Sequence, residues 1–307
     1  MSLRKNLTSK SSRIKVGITI GDPSGIGPII TKQAVKSLRG IADFVVIGDL
    51  NGVGSKTFVP GKINPASGAA SLTYLDTAID LIRKKRIDCL VTCPVSKEAI
   101  NLAGIRFIGH TEYLAKAFGR KDYVMMLLNS KLKFSLITRH IPLNKVSKAL
   151  TCAEIERTTK ITCAYLEKFF AIKKPRLVFC GVNPHASDNG IIGAEEKTVF
   201  NPVIKKLKND LCCRIDGPVS ADIAVLKAFR GEYDCVMAAY HDQALIPLKL
   251  SGSDSGVNIT LGLPFVRTSP LHGTAFDIAL KPHRASPDSL IAAIKLAVKC
   301  ASFQRRA

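Results

Sequence analysis

Three histidines share one kind of setting. His140 stands in Thr138-Arg139-His140-Ile141-Pro142, His185 in Gly181-Val182-Asn183-Pro184-His185, and His241 in Tyr240-His241-Asp242-Gln243. Each follows a short apolar run, over 134–138, 176–180 and 234–238, of the kind that forms a buried strand. In an open α/β sheet, ligands gather at the carboxyl ends of strands. Three imidazoles placed there can ligate a divalent cation, with Asp222 and Asp242 as nearby carboxylates. One such histidine serves as readily as a surface residue, but three in equivalent places point to a site. Lys249, Asn258, Arg267, Thr268 and Ser269 lie within 21 positions. A planar guanidinium beside hydroxyls suits phosphate oxygens, although a solvated loop with ordinary surface charges reads the same way. Gly109-His110-Thr111-Glu112 precedes a short helix. Gly21-Asp22-Pro23-Ser24-Gly25-Ile26-Gly27-Pro28 follows a strand and opens a helix, where backbone N–H groups and the helix dipole favour an anion. Its spacing matches neither GxGxxG nor a Walker loop, and a tight turn that needs glycine explains it as well.

The elements that must hold these residues alternate. Strands are expected over 14–20, 44–47, 89–92, 123–128, 134–138, 176–180 and 234–238. Helices are expected over 28–38, 71–85, 151–170, 195–208, 219–230 and 286–301, with Thr151 and Glu154 forming a capping box and 48–68 left as loop. The order implies an α/β chain with a mostly parallel sheet. Of 307 residues, 46% are hydrophobic and 22% charged, which suits a globular chain and argues against disorder. No apolar run is long enough to span a membrane, and residues 1–15 lack the apolar core of a secretory signal. Nine cysteines without a CxxC pair fit neither a disulfide framework nor a zinc knuckle, and favour a reducing cytoplasm. The formal charge of +21 allows a nucleic-acid binder, but the lysines are scattered and no nucleic-acid motif accompanies them. An enzyme of anionic ligands fits the charge better. The basic arm Met1–Lys15 reads as a tail.

Taken together, the motifs resemble those of the 4-hydroxythreonine-4-phosphate dehydrogenase family of vitamin B6 biosynthesis. The similarity runs from about Ile14 to about Ala301. It rests on GDPSGIGP at 21–28, CPVSK at 93–97, GHTE at 109–112, RHIPL at 139–143, NPHA at 183–186, Ala221-Asp222 and YHDQ at 240–243. VNITLGLPFVRTS at 257–269 and HGTAFDIA at 272–279 complete the set, and the 257–269 block is the most specific.

The resemblance implies two α/β/α domains with a cleft between them, similar to isocitrate and isopropylmalate dehydrogenases and not to the Rossmann fold. The first domain would comprise 1–130 plus 274–307, and the second, with the metal histidines and the dimer interface, 131–273. It implies a homodimer in which His140, His185 and His241 hold one divalent metal (Zn, Co, Mg or Mn), with one histidine drawn from the neighbouring subunit. His110, Thr111, Lys249, Asn258 and Arg267 match substrate contacts. Asp242, Asp222 and Lys97 are the candidates for the catalytic base. His272, Gly273, Thr274 and Ala275 resemble a nucleotide-binding loop for NAD+ or NADP+.

The implied reaction oxidises 4-phosphooxy-L-threonine at C3 and then decarboxylates it to 3-amino-2-oxopropyl phosphate. Neither a membrane nor a nucleic acid is implied as partner. Threonate or erythronate 4-phosphate is the rival substrate, and a basic nucleic-acid-binding protein on an inactive fold is the rival of another class. Five positions depart from the family pattern: Ile29, Ser187, Asp188, Leu271 and Leu280. The two leucines flank the nucleotide loop and bear on cofactor binding.

Overall fold

The structure is a computed structural model that describes residues 13–50, 57–252 and 255–306. Most of the basic N-terminal arm and part of the expected 48–68 loop therefore lie outside the described residues. Ten strands form one sheet: β1 (Lys15–Thr19), β2 (Asp43–Ile47), β3 (Cys89–Thr92), β4 (Val124–Leu128), β5 (Lys133–Leu136), β6 (Arg176–Cys180), β7 (Arg214–Val219), β8 (Cys235–Ala238), β9 (Val257–Leu261) and β10 (Val266–Pro270). Their order is β2-β1-β3-β10-β9-β4-β5-β8-β6-β7. Six pairings are parallel. Three are antiparallel, and all three involve β4 or β9 at the centre of the sheet.

The helices are α1 (Gly27–Ser37), α2 (Pro65–Arg83), α3 (Lys97–Leu102), α4 (His110–Ala117), α5 (Val146–Ala149), α6 (Cys152–Phe170), α7 (Asn201–Asp210), α8 (Ala221–Phe229), α9 (His241–Leu250) and α10 (Asp288–Arg306). They cover both faces of the sheet. Met126 and Leu128 join the core under α6 and α10, while Met125 and Leu127 join the core under α8 and α9. Alternation along one strand thus feeds two cores, which is why these strands read as unbroken apolar runs.

Local chemistry sets the helix ends. Thr151 accepts a hydrogen bond from the Glu154 amide at 3.2 Å, so α6 starts where its capping residues predict. The expected loop over 48–68 is corrected at its end. Asn64 accepts from the Ser67 amide at 2.8 Å with Pro65 in the first turn, and α2 starts six residues before the expected helix. Gly68 then lies against the Ala99 backbone of α3, where a Cβ would come within 2.2 Å. β7, β9 and β10 lie outside the expected strands.

The 21–28 loop is buried throughout. The Asp22 amide donates to Pro94 O at 2.9 Å, and the Ile26 amide donates to Thr274 O at 2.9 Å. Of the two readings of this motif, the tight turn therefore fits. The loop ties β1 to the segments after β3 and β10, and its amides meet the chain itself in place of an anion.

Candidate active site

The carboxyl ends of β3, β10 and β5 and the start of β9 converge on a pocket of about 210 Å3. Lys97, His110, Thr111, Glu112, His140, Asn258, Arg267, Ser269, His272 and Gly273 line it. Arg267 dominates. It is only 2% exposed, and its guanidinium donates to Thr92 Oγ1 at 2.6 and 3.2 Å and to Thr260 Oγ1 at 3.2 Å. Those partners are neutral hydroxyls. Burial pushes the Arg267 pKa down to about 10, against the pull of Glu112, and the group remains a cation at neutral pH. A buried cation held by hydroxyls is costly until an anion joins it.

Strand register sorts the neighbours. Arg267 pairs with Thr260 and Ser269 with Asn258, so these four share one face. Thr268 points the other way and donates to Ala293 O at 2.9 Å on α10. The expected oxygen cage of Arg267, Thr268 and Ser269 is corrected accordingly: period-two alternation removes Thr268.

His110 and Thr111 open α4, the helix first read as following this motif. Burial drives the His110 pKa well below its ordinary value, with Arg267 and then Lys97 adding to the effect, so the imidazole stays neutral. Its Nε2, Asn258 Oδ1 and His272 Nε2 are buried polar atoms without a hydrogen-bond partner among the described residues. All three residues line this one pocket. Buried polar groups are ordinarily paired, and a cluster of unpaired ones marks a place prepared for a polar ligand. Lys249 lines an adjoining pocket of about 380 Å3 with Leu271, His272 and Gly273, not the pocket of Arg267. Thr274 and Ala275 sit behind the loop, with Thr274 O accepting from Ile26 and Ala275 in a left-handed conformation. The departing Leu271 contacts Gly256, and Leu280 is 72% exposed.

The three histidines follow β5, β6 and β8, which are neighbours in the sheet. His140 and His241 lie together, with ring centroids 5.4 Å apart. Burial, then His241, then Lys97 lower the His140 pKa and favour its neutral, ligating form. His241 Nδ1 lies 2.7 Å from Asp242 Oδ1, a pairing that would leave Nε2 to face a ligand. His185 stands apart, near Asp222. The Ser220 hydroxyl and the Ile223 amide hold the Asp222 carboxyl below its ordinary pKa. Among the described residues, no three His, Cys, Asp or Glu side chains gather as one cation site. The donor set nonetheless fits a divalent metal: imidazoles, one of them oriented by a carboxylate.

His185 also sits in unusual backbone. It begins five consecutive non-glycine residues with positive φ, from 53° at His185 to 58° at Asn189. Left-handed backbone costs about 1–2 kcal/mol per residue, so this turn needs support from outside itself. Several contributors had no signal of their own in the sequence. Thr92 and Thr260 became visible through strand register, and Glu195, Glu196 and Gln243 through their hydrogen bonds.

Residues 20–297 match the family described as pyridoxal phosphate biosynthetic protein PdxA. A 4-hydroxythreonine-4-phosphate dehydrogenase of Sulfurihydrogenibium sp. (strain YO3AOP1) is 39% identical over 319 residues, spanning 93% of this chain and 98% of that protein. The chain belongs to the PdxA family. Another PdxA-like relative, D-threonate 4-phosphate dehydrogenase of Salmonella typhimurium, is 36% identical over 93% of this chain and 98% of its own length. The crystal structure of 4-hydroxythreonine-4-phosphate dehydrogenase from Klebsiella pneumoniae superposes with a TM-score of 0.83 at 33% identity, covering 94% of this chain and all of that one. Isocitrate dehydrogenase from Methylococcus capsulatus shares the fold at a TM-score of 0.51 and 15% identity, over 95% of this chain and 88% of that one. The expected fold class is thus met: a mixed α/β fold of the isocitrate dehydrogenase kind.

Proposed function

We propose that this PdxA protein oxidises 4-phosphooxy-L-threonine at C3 with NAD+ or NADP+ and a divalent metal, and then decarboxylates it to 3-amino-2-oxopropyl phosphate. Such a step serves pyridoxal 5'-phosphate synthesis. The observation that carries the proposal is the buried Arg267 beside the unpaired polar atoms of His110 and Asn258. Arg267 takes the phosphate, offering up to two parallel N–H donors. Thr111, Asn258 and Ser269 complete the phosphate and backbone contacts, and neutral His110 supplies one further hydrogen bond. Lys249 reaches the substrate from the adjoining pocket or from a second copy. Holding the remote phosphate fixes C3 relative to the reacting groups.

His140, His185 and His241 would hold the metal, and the loop His272, Gly273, Thr274 and Ala275 would hold the dinucleotide. When bound, these groups supply Lewis acidity at the C3 oxygen and a hydride acceptor. The chain itself must take the hydroxyl proton. Lys97 lines the pocket with Arg267. Asp242 is engaged with His241, and Asp222 lies beside His185. Lys97 is the candidate base nearest the substrate contacts, and the two aspartates serve the imidazoles.

A homodimer follows from the same reading, because His185 is separate from the His140–His241 pair within one chain. Exposed apolar side chains support a partner surface: Ile223, Leu226 and Phe229 on α8, and Ile246 and Leu250 on α9. The two-domain division is part of the proposal. The parallel groups β2-β1-β3-β10 and β5-β8-β6-β7 meet through antiparallel β9 and β4. No helix among the described residues is long and apolar enough to cross a membrane, and the nine free cysteines fit a reducing cytoplasm.

The second reading, D-threonate 4-phosphate as substrate, is favoured by the Salmonella relative of that name. Parallel assays of NAD(P)H formation with the amino acid phosphate and with threonate 4-phosphate separate the two. Faster turnover of the threonate would overturn the first reading.

A further inference from the structure

The left-handed turn 185–189 has a base, and that base is a carboxylate. Glu196 is 2% exposed. Its Oε1 accepts from the amides of Val182 and Asn183, both at 2.8 Å, and its Oε2 accepts from Asn183 Nδ2 at 2.8 Å. The second Asn183 amide proton goes to Glu195 Oε2 at 2.9 Å. The turn also folds back on Gly181, where a Cβ would meet the Ala186 Cα at 2.9 Å and Glu196 Oε1 at 3.1 Å. Gln243 completes the frame: its Nε2 donates to Gly181 O at 2.8 Å, and its Oε1 accepts from the Ala239 amide at 2.8 Å. Glu196 opens a single π-helical turn, Glu196–Phe200, a local widening found mostly at functional sites.

A buried carboxylate is expensive, and five left-handed residues in a row are strained. Both features lie beside the exposed side chain of His185, the first residue of the turn. We propose that Glu196 is a positioning residue: its carboxylate fixes the 182 and 183 peptides and so holds the strained turn that presents His185 as a metal ligand. Gln243 ties the same base to the end of β8, two residues before His241. The clamp therefore sets two of the three histidines in one frame. The proposal rests on the reading of His185 as a ligand.

The test uses the full chain, with zinc alone as probe. Zinc affinity is measured by chelator competition for the wild type, Glu196→Ala, Glu196→Gln and His185→Ala. Amide exchange of the 182–192 peptide is followed in the metal-free proteins. Glu196→Ala is expected to weaken zinc binding about 10–100-fold, the usual effect of losing a group behind a ligand, and to speed exchange across 182–192. Glu196→Gln keeps an oxygen for the two backbone amides and is expected to fall between Glu196→Ala and the wild type. It carries the comparison if Glu196→Ala does not fold. Wild-type zinc affinity in both Glu196 variants, with His185→Ala weakened, would overturn the positioning role. Unchanged exchange across 182–192 would overturn the clamp. Wild-type affinity in His185→Ala would overturn the ligand reading underneath.

Discussion

Arg267 is a cation whose hydrogen bonds among the described residues reach only Thr92 and Thr260. Removing it should therefore act in opposite directions on stability and on catalysis. Arg267→Met should raise KM for the phosphorylated substrate about 10–100-fold, the worth of a charge-assisted contact. It should also raise the thermal midpoint of the ligand-free protein, because an apolar side chain replaces a buried charge. Calorimetry and initial rates on one preparation check both; a lower midpoint with unchanged KM would make Arg267 purely structural.

His110 gives a pH prediction. Its native pKa lies well below the ordinary 6.5, and burial is the first cause. Below about 6.5 the unfolded chain binds a proton that the native chain refuses. The stability tied to His110 is therefore complete above that pH and lost as pH falls below it, by at most about 1.4 kcal/mol per pH unit. His110→Gln should flatten this acid limb in thermal unfolding across the pH series. At this scale the sequence was informative where chemistry is written in side-chain type. Three strand-end histidines and Arg267 stood out. Glu196 did not, because a glutamate in a helical stretch looks solvated until its acceptors are seen to face three N–H groups.

At the scale of elements, long periodic segments and capped helices were legible, and short strands between turns were not. Thr151 announced α6, but Arg214–Val219 carries Gly217 and Pro218 inside the strand and resembles a turn. β9 and β10 lie on either side of Gly262, Leu263, Pro264 and Phe265, and their polar members suggested a ligand loop. Their pairing is what puts Asn258 and Ser269 beside Arg267 and Thr260. For β9 and β10 the missing strand signal and the site are thus one fact: the pocket is built on a hairpin whose inward face is polar.

The α2–α3 contact makes its own prediction. A Cβ at Gly68 would press on the Ala99 backbone at 2.2 Å, and backbone cannot rotate aside. Gly68→Ala should destabilise the fold by about 1–3 kcal/mol. Because α3 begins at Lys97, the same variant should also lower kcat, and a denaturant titration beside a rate assay checks the pair.

For the whole molecule, the formal charge is +21, and the ligands proposed for the pocket are anions. Steering by that field should make kcat/KM fall as ionic strength rises, and a flat salt profile would contradict it. Scattered basic residues carry no such message when read singly. Ile223, Leu226 and Phe229 on α8 are exposed apolar side chains, which only the fold reveals.

The most direct test of the central claim is NAD(P)H formation by the chelated protein on 4-phosphooxy-L-threonine, before and after a divalent metal is restored. The account predicts negligible turnover without metal, recovery on adding zinc, cobalt, manganese or magnesium, and no recovery in His241→Ala. Full turnover in the chelated protein, or in His241→Ala, would contradict it.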